Sequence, residues 1–473
     1  MTAIWTAAEA ADATGAKPAP GAGWAASGVS IDTRAVAAND LFVALKGPRF
    51  DGHDFVAAAL SSGAAAAMVD RPISGADPAR LLAVPDTMAG LEALAIAARA
   101  RSQARIVAVT GSVGKTGTKE ALATLLGAQG RTHASTGNLN NQIGMPLSLA
   151  RMPATAEFGV FEIGMNHAGE IAPLSAMLRP HVAIITNVEA VHLEYFANVE
   201  GIADAKAEIF TGLDADGTAI LNHDNPHFGR LTQAAEARGI GNIWSFGESA
   251  GAEGRLISVD LEPSGSVVRA TILGREIGFR LPLPGRHQVQ NALAVLLAVA
   301  AMGGDIGAAV ATLETLTPVK GRGVAIDVAL AGGSFRIVDE TYNASPAATR
   351  AALAVLGMTE AGGRRLVALG DMLELGANGP AEHVGLADAL IAAKVAQVFT
   401  AGPLTRHLHD ALPAHMRGAH AETSAALAPL VARAARANDI VLVKGSAGSQ
   451  MGTVVAALRA RDNKKPSENR RAV

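Results

Sequence analysis

The stretch ARIVAVTGSVGKTGTKEALATLL, residues 104–126, holds residue types that handle a triphosphate. Gly111, Ser112, Val113 and Gly114 form a turn between an apolar, β-branched run and a helix pattern. The backbone N–H groups of such a turn, and of the helix that follows, can cradle phosphate oxygens. Lys115 can reach the β- and γ-phosphates, and the Thr116 hydroxyl can ligate Mg²⁺. The generic P-loop pattern asks for another glycine five positions before Gly114, where this chain has Val109. GKT also ends ordinary glycine turns with a solvated lysine, and the strand, turn and helix context favours the phosphate site. Gly117 falls in the first helical turn, where glycine costs up to about 1 kcal/mol against alanine, and the residues around it give no functional reason for it.

Other candidates follow apolar runs. Glu162 ends FGVFE, and ligands bind at the C-terminal ends of strands in parallel sheets; position alone equally suits an exposed loop glutamate. His192 comes a few residues after VAIITN, where a lone histidine is more often a surface residue than a ligand. Lys206, in IADAKAEIF, reads by period as an ordinary helical lysine. Lys444 follows DIVLV and forms either a pocket wall or a tight turn. Ser345-Pro346 reads as a helix N-cap with proline at the first helical position. Arg34 and Lys46, taken singly, are solvated cations, and Asn138, Asn140 and Asn141 suit an ordinary turn.

These residues need a scaffold. A chain of 473 residues argues for about three domains at roughly 150 residues each. Residues 1–103 combine short β-like runs (VSIDTR, DLFVALKG) with an alanine-rich helix pattern, FVAAALSSGAAAAMVD. Residues 104–317 alternate buried strands with helices, as a parallel sheet covered on both faces requires. Residues 318–460 repeat that texture as a smaller, Rossmann-like doubly wound sheet, with TPVKGRG at 317–323 as the hinge. The expected class is therefore α/β in three domains, followed by a polar, disordered tail at 461–473.

Composition narrows the function. The chain is 49% hydrophobic and carries a net charge of −3, which gives no reason to expect nucleic acid as the main partner. It has no cysteine, so disulfides, thiol nucleophiles and cysteine-bound zinc are excluded. MTAIWTAAEAADATG lacks the basic start of a secretory signal. ALAVLLAVAAM at 292–302 is too short to span a bilayer and reads as a buried helix. A soluble, cytoplasmic protein without an integral membrane segment is expected.

TGSVGKT resembles the short P-loop of the Mur ligases, ATP-dependent amide-forming enzymes of peptidoglycan precursor synthesis, which also lack the early glycine. TGNLNNQIGMPLSLA, FEIGMNHAGEI, TNVEAVHLEYF, AKAEIF, LPGRHQVQNALA, KGRG, DETYNASP and LGDMLELG then follow in the family's order. NLNNQIGMP, YNASP and LGDMLELG point to the branch that adds D-alanyl-D-alanine to UDP-N-acetylmuramoyl-tripeptide. A sister branch adding a diamino acid carries an Asn-Pro-Arg type motif that is not found, and a regulatory P-loop NTPase is the rival from another class.

The resemblance implies an N-terminal UDP-sugar domain, a central ATPase domain, a C-terminal domain that brings the amine, and a monomer. Gly111 to Gly117 would hold ATP, with two Mg²⁺ ions at Thr116, Glu162, His192 and Lys206, the last as a carbamate. Asn291 would contact adenine, while Gln288 stands where the family commonly has asparagine; Arg322 would reach phosphate and Asp339 the ribose. Ser30, Asp32, Thr33, Arg34 and Lys46 would meet the UDP-sugar, Asn138 and Asn141 the muramoyl substrate, and Asn343 and Lys444 the dipeptide side.

Overall fold

The computed structural model describes residues 3–191 and 193–462. Its largest sheet has nine strands. In spatial order they are Arg275–Leu281, Gly265–Ile272, Gly254–Glu262, Asn242–Gly247, Thr218–Asn222, Val182–Ile185, Arg105–Thr110, Phe158–Glu162 and Thr132–Ala134. The first three form an antiparallel meander, and the pairings from Gly254–Glu262 onward are parallel. Alternation along Arg105–Thr110 shows why the run is apolar throughout. Val107 and Val109 face the helix Arg286–Ala301, while Ile106 and Ala108 face the opposite layer. The run at 292–302 is accordingly a buried helix, with Ala292 to Val299 all buried.

A six-stranded sheet follows, ordered Val324–Leu330, Gly333–Glu340, Ile440–Lys444, Arg365–Gly370, Gln397–Ala401 and Arg417–Ala421. Only its first pair is antiparallel. Ser345 caps the helix Pro346–Met358 by accepting from Ala348 N at 3.3 Å, as the sequence predicts.

The first sheet has four parallel strands, Gly28–Ser30, Asp40–Val43, Ala66–Val69 and Leu81–Ala83. Here the alanine-rich helix pattern needs correction. The helix stops at Val56–Ser61, Gly63 turns the chain at φ +103°, and Ala66–Val69 is a buried strand. Pairing on both edges overrides the helix preference of alanine.

The first core does not end with the first sheet. Leu147 and Ala150, on the helix Gly144–Ala150, pack into it beside Trp5, Leu91 and Leu94, while Met145 and Leu149 of the same helix join the central core. Trp5 Nε1 donates to Ala150 O at 2.9 Å, and Arg151 Nε donates to Val29 O at 2.6 Å. Among the described residues, no helix is long and apolar enough to cross a membrane. The expected tail lies outside the described residues from 463 onward.

Candidate active site

The strand Arg105–Thr110 ends in the four-residue turn Gly111–Gly114, and the helix Lys115–Gly127 begins at once. The short turn works because its neighbour strand supplies the clasp. Ser112 N donates to Asn187 O at 2.8 Å, Glu189 N donates to Ser112 Oγ at 2.9 Å, and Thr186 Oγ1 donates to Val113 O at 2.5 Å. Gly114 takes φ +90°, and a Cβ there would lie 2.9 Å from Asn291 Oδ1. Glycine therefore brings Asn291, the adenine candidate, against the phosphate loop.

Lys115 Nζ donates to Gly111 O at 2.6 Å. Burial lowers its pKa, opposed by the charge of Glu162 and assisted by that of Arg322. Glu162 ends its strand and is 2% exposed. Its Oε1 accepts from Asn140 Nδ2 at 2.7 Å, and its Oε2 is buried with no hydrogen-bond partner among the described residues. A buried carboxylate oxygen left bare is costly. It suits a cation, and the hydroxyl of Thr116 offers the second hard oxygen that Mg²⁺ prefers.

Arg322 crosses from the hinge to this helix. Its Nη2 donates to Thr116 Oγ1 at 3.0 Å, and its guanidinium lies 4.2 Å from the Tyr342 ring centroid. Gly321 at φ +73° and Gly323 at φ +84° bend the chain around it.

A cavity of about 1060 Å³ opens between the central and C-terminal sheets. Ser112, Val113, Gly114, Lys115, Thr116, Gly117, Asn138, Asn141, Glu162, Asn291, Arg322, Asn343 and Lys444 all line it. Residues from seven separate stretches of sequence thus meet in one space. Lys444 is buried, with Nζ donating to Glu340 Oε2 at 3.0 Å and to Asn343 O at 3.0 Å. Its charge is matched by Glu340, which also lines the cavity. Sequence reasoning chose Asp339 and passed over Glu340; strand neighbours face opposite ways, so one of the two had to turn from the cleft. Asp339 does not line the cavity and accepts from Thr341 Oγ1 at 2.7 Å.

Other candidates lie apart. Gly111 is packed against Thr186 and does not line the cavity. Lys206 is buried and off the lining, and burial, followed by the charge of Lys115, lowers its pKa well below the ordinary lysine value. His192 lies outside the described residues. Ser30, Asp32, Thr33, Arg34 and Lys46 do not line the cavity either. There Ser30 Oγ donates to Asp32 O at 3.1 Å, while Asp32 caps the turn Thr33–Ala35 and pairs with Arg34 at 2.6 Å. Arg34 remains 88% exposed.

Gly117 lines the main cavity and a second one of about 410 Å³ behind the phosphate loop. A Cβ would meet only Gln288 Oε1, at 3.9 Å. Gly117→Ala is expected to stabilise the ligand-free protein by up to about 1 kcal/mol, read as a higher denaturant midpoint. A fall in ADP affinity in the same variant would show that the space is needed by the nucleotide.

Comparison with known proteins assigns this arrangement to a family. The patterns of the Mur ligase family catalytic domain, the Mur ligase middle domain and the Mur ligase glutamate ligase domain match residues 25–102, 109–299 and 321–447. A relative from Escherichia coli K12 is 37% identical over 91% of this chain and 93% of its own length. The chain is a member of the Mur ligase family.

The E. coli relative is named UDP-N-acetylmuramoyl-tripeptide–D-alanyl-D-alanine ligase, as is one from Rickettsia prowazekii, 34% identical over 90% of this chain and 94% of its own length. Among solved Mur ligases, MurF from Acinetobacter baumannii superposes with a TM-score of 0.83 at 31% identity, covering 96% of this chain and 99% of its own. MurF from Thermotoga maritima, solved with ADP, gives a TM-score of 0.76 at 27% identity, covering 92% and 97%.

Proposed function

We propose that the protein joins D-alanyl-D-alanine to UDP-N-acetylmuramoyl-tripeptide with hydrolysis of ATP to ADP and phosphate, giving the UDP-N-acetylmuramoyl-pentapeptide of peptidoglycan synthesis. The observation that carries the reading is the bare Glu162 Oε2 sharing one cavity with the phosphate loop and Lys444. A carboxylate is a poor electrophile, because its leaving group would be oxide. Phosphorylation converts it to an acyl phosphate, and the dipeptide's amine then displaces phosphate.

The loop N–H groups and Lys115 hold the triphosphate, with Lys115 exchanging its carbonyl partners for phosphate oxygens. Arg322 leaves Thr116 for the phosphates and offsets the repulsion between γ-phosphate and substrate carboxylate. Glu162 and Thr116 would hold Mg²⁺, and the family resemblance adds Lys206, as a carbamate, and His192 to two metal sites. Bound there, Mg²⁺ would neutralise charge on the phosphate oxygens. Asn291 lies beside the loop for adenine, and of the two adjacent acids Glu340, not Asp339, faces the cleft. Asn138 and Asn141 face the acceptor, and Asn343 and Lys444 the incoming dipeptide. The exposed Arg34, with Ser30, Asp32, Thr33 and Lys46, serves the UDP-sugar on the first sheet. The working division is 1–103, 104–317 and 318–460, acting as a cytoplasmic monomer.

The test is phosphate release from MgATP with UDP-N-acetylmuramoyl-tripeptide, with and without D-alanyl-D-alanine. Release that needs both, with the pentapeptide seen by mass, is expected. Release needing neither would indicate a regulatory NTPase, and turnover only with the dipeptide precursor and a diamino acid would indicate the sister branch.

A further inference from the structure

Lys119 lies on the phosphate-loop helix, three residues after Thr116, yet it lines no part of the cavity. Its side chain is 0% exposed. Burying an ammonium is costly unless it is paired, and an unbranched apolar side chain would fill the same space. What a methionine could not do is donate. Lys119 Nζ donates to Ser135 O at 2.7 Å and to Glu120 Oε1 at 2.5 Å.

Ser135 is the first residue of the loop that carries Asn138, Asn140 and Asn141, and it is gripped on every polar atom. Its N–H donates to Val160 O at 2.9 Å, its carbonyl accepts from Lys119, and its Oγ accepts from Glu162 N at 3.1 Å. Farther along the loop, Asn140 donates through Nδ2 to Glu162 Oε1 at 2.7 Å, and its carbonyl accepts from Gly164 N at 2.8 Å. One chain of bonds therefore runs from the phosphate-loop helix, through Lys119 and Ser135, to the backbone of Glu162, and the same loop holds the Glu162 carboxylate through Asn140.

We infer that Lys119 is a positioning residue that sets Glu162 and the asparagine loop against Thr116. Residues three apart on a helix lie on neighbouring faces, so one rigid helix carries both the Thr116 hydroxyl and the strut that places the opposing carboxylate. The inference rests on the reading of Glu162 as the metal-holding carboxylate.

The experiment uses Lys119→Met and Ser135→Ala in the full chain. Ser135→Ala cuts the same chain one bond nearer Glu162 without disturbing a buried charge, and it decides the matter if Lys119→Met does not fold. Mn²⁺ affinity in the presence of ADP is read from the electron paramagnetic resonance signal of free Mn²⁺, with ADP affinity measured separately in chelator. Mn²⁺ binding is expected to weaken about 10- to 100-fold in both variants, with metal-free ADP binding unchanged and lost turnover regained at high Mg²⁺. Unchanged Mn²⁺ affinity in a cooperatively melting variant would overturn the inference, as would equal losses of metal and metal-free ADP binding. A wild type that binds Mn²⁺ and ADP yet makes no pentapeptide would overturn the proposed function and leave the role of Lys119 standing.

Discussion

Arg322→Ala is expected to lower turnover by about 10³-fold or more, the range seen when an arginine on a transferring phosphoryl group is removed. Nucleotide affinity should fall far less. The geometry explains the split. The guanidinium lies over Tyr342 at 4.2 Å, and among the described residues its Nε is buried without a partner and Nη2 is held by the Thr116 hydroxyl at 3.0 Å. Donors arranged in this way are pre-set for charge that develops on phosphate, so their benefit is largest in the transition state. Arg322→Lys should recover little, because a lysine neither stacks in plane nor presents a fork. The measurement is single-turnover phosphate release beside ADP calorimetry. An unchanged rate would remove Arg322 from the reaction and with it the hinge's part in assembling the site.

Lys206→Ala should lower turnover by at least about 10²-fold, and short carboxylic acids added to the assay should restore part of it. Burial, reinforced by the charge of Lys115, holds the Lys206 amine well below its usual pKa. A neutral amine attacks CO₂, loses one proton and becomes a carbamate, so the side chain changes from cation to anion. The anion would sit within reach of Lys115's charge instead of opposing it. A free carboxylate entering the space left by alanine can supply the same negative charge. Full activity without any added acid would sink this reading of Lys206.

Much of this was legible before any coordinates. The apolar run at 105–110, the glycine turn and the helix at 115–127 follow from composition and period, and most of the stretches that meet in the cavity carry recognisable motifs. What was not legible depends on tertiary pairing. The alanine stretch at 64–69 has no local sign of being a strand; neighbours on both edges decide it. Glu340 was hidden beside Asp339 because the facing of a strand is known only once its sheet is placed. Lys119 reads as one more helical lysine, and only the carbonyl of Ser135, sixteen residues on, gives it a purpose.

The shared helix Gly144–Ala150 has a consequence for synthesis on the ribosome. The first sheet is complete in strands by Ala83, but its apolar floor includes Leu147 and Ala150, and Trp5 anchors to the carbonyl of Ala150. A nascent chain ending near residue 103 would therefore hold an open core in water. The N-terminal segment must wait for some fifty further residues to clear the exit tunnel. Its closure is then a joint event with the docking of the helix Gly144–Ala150.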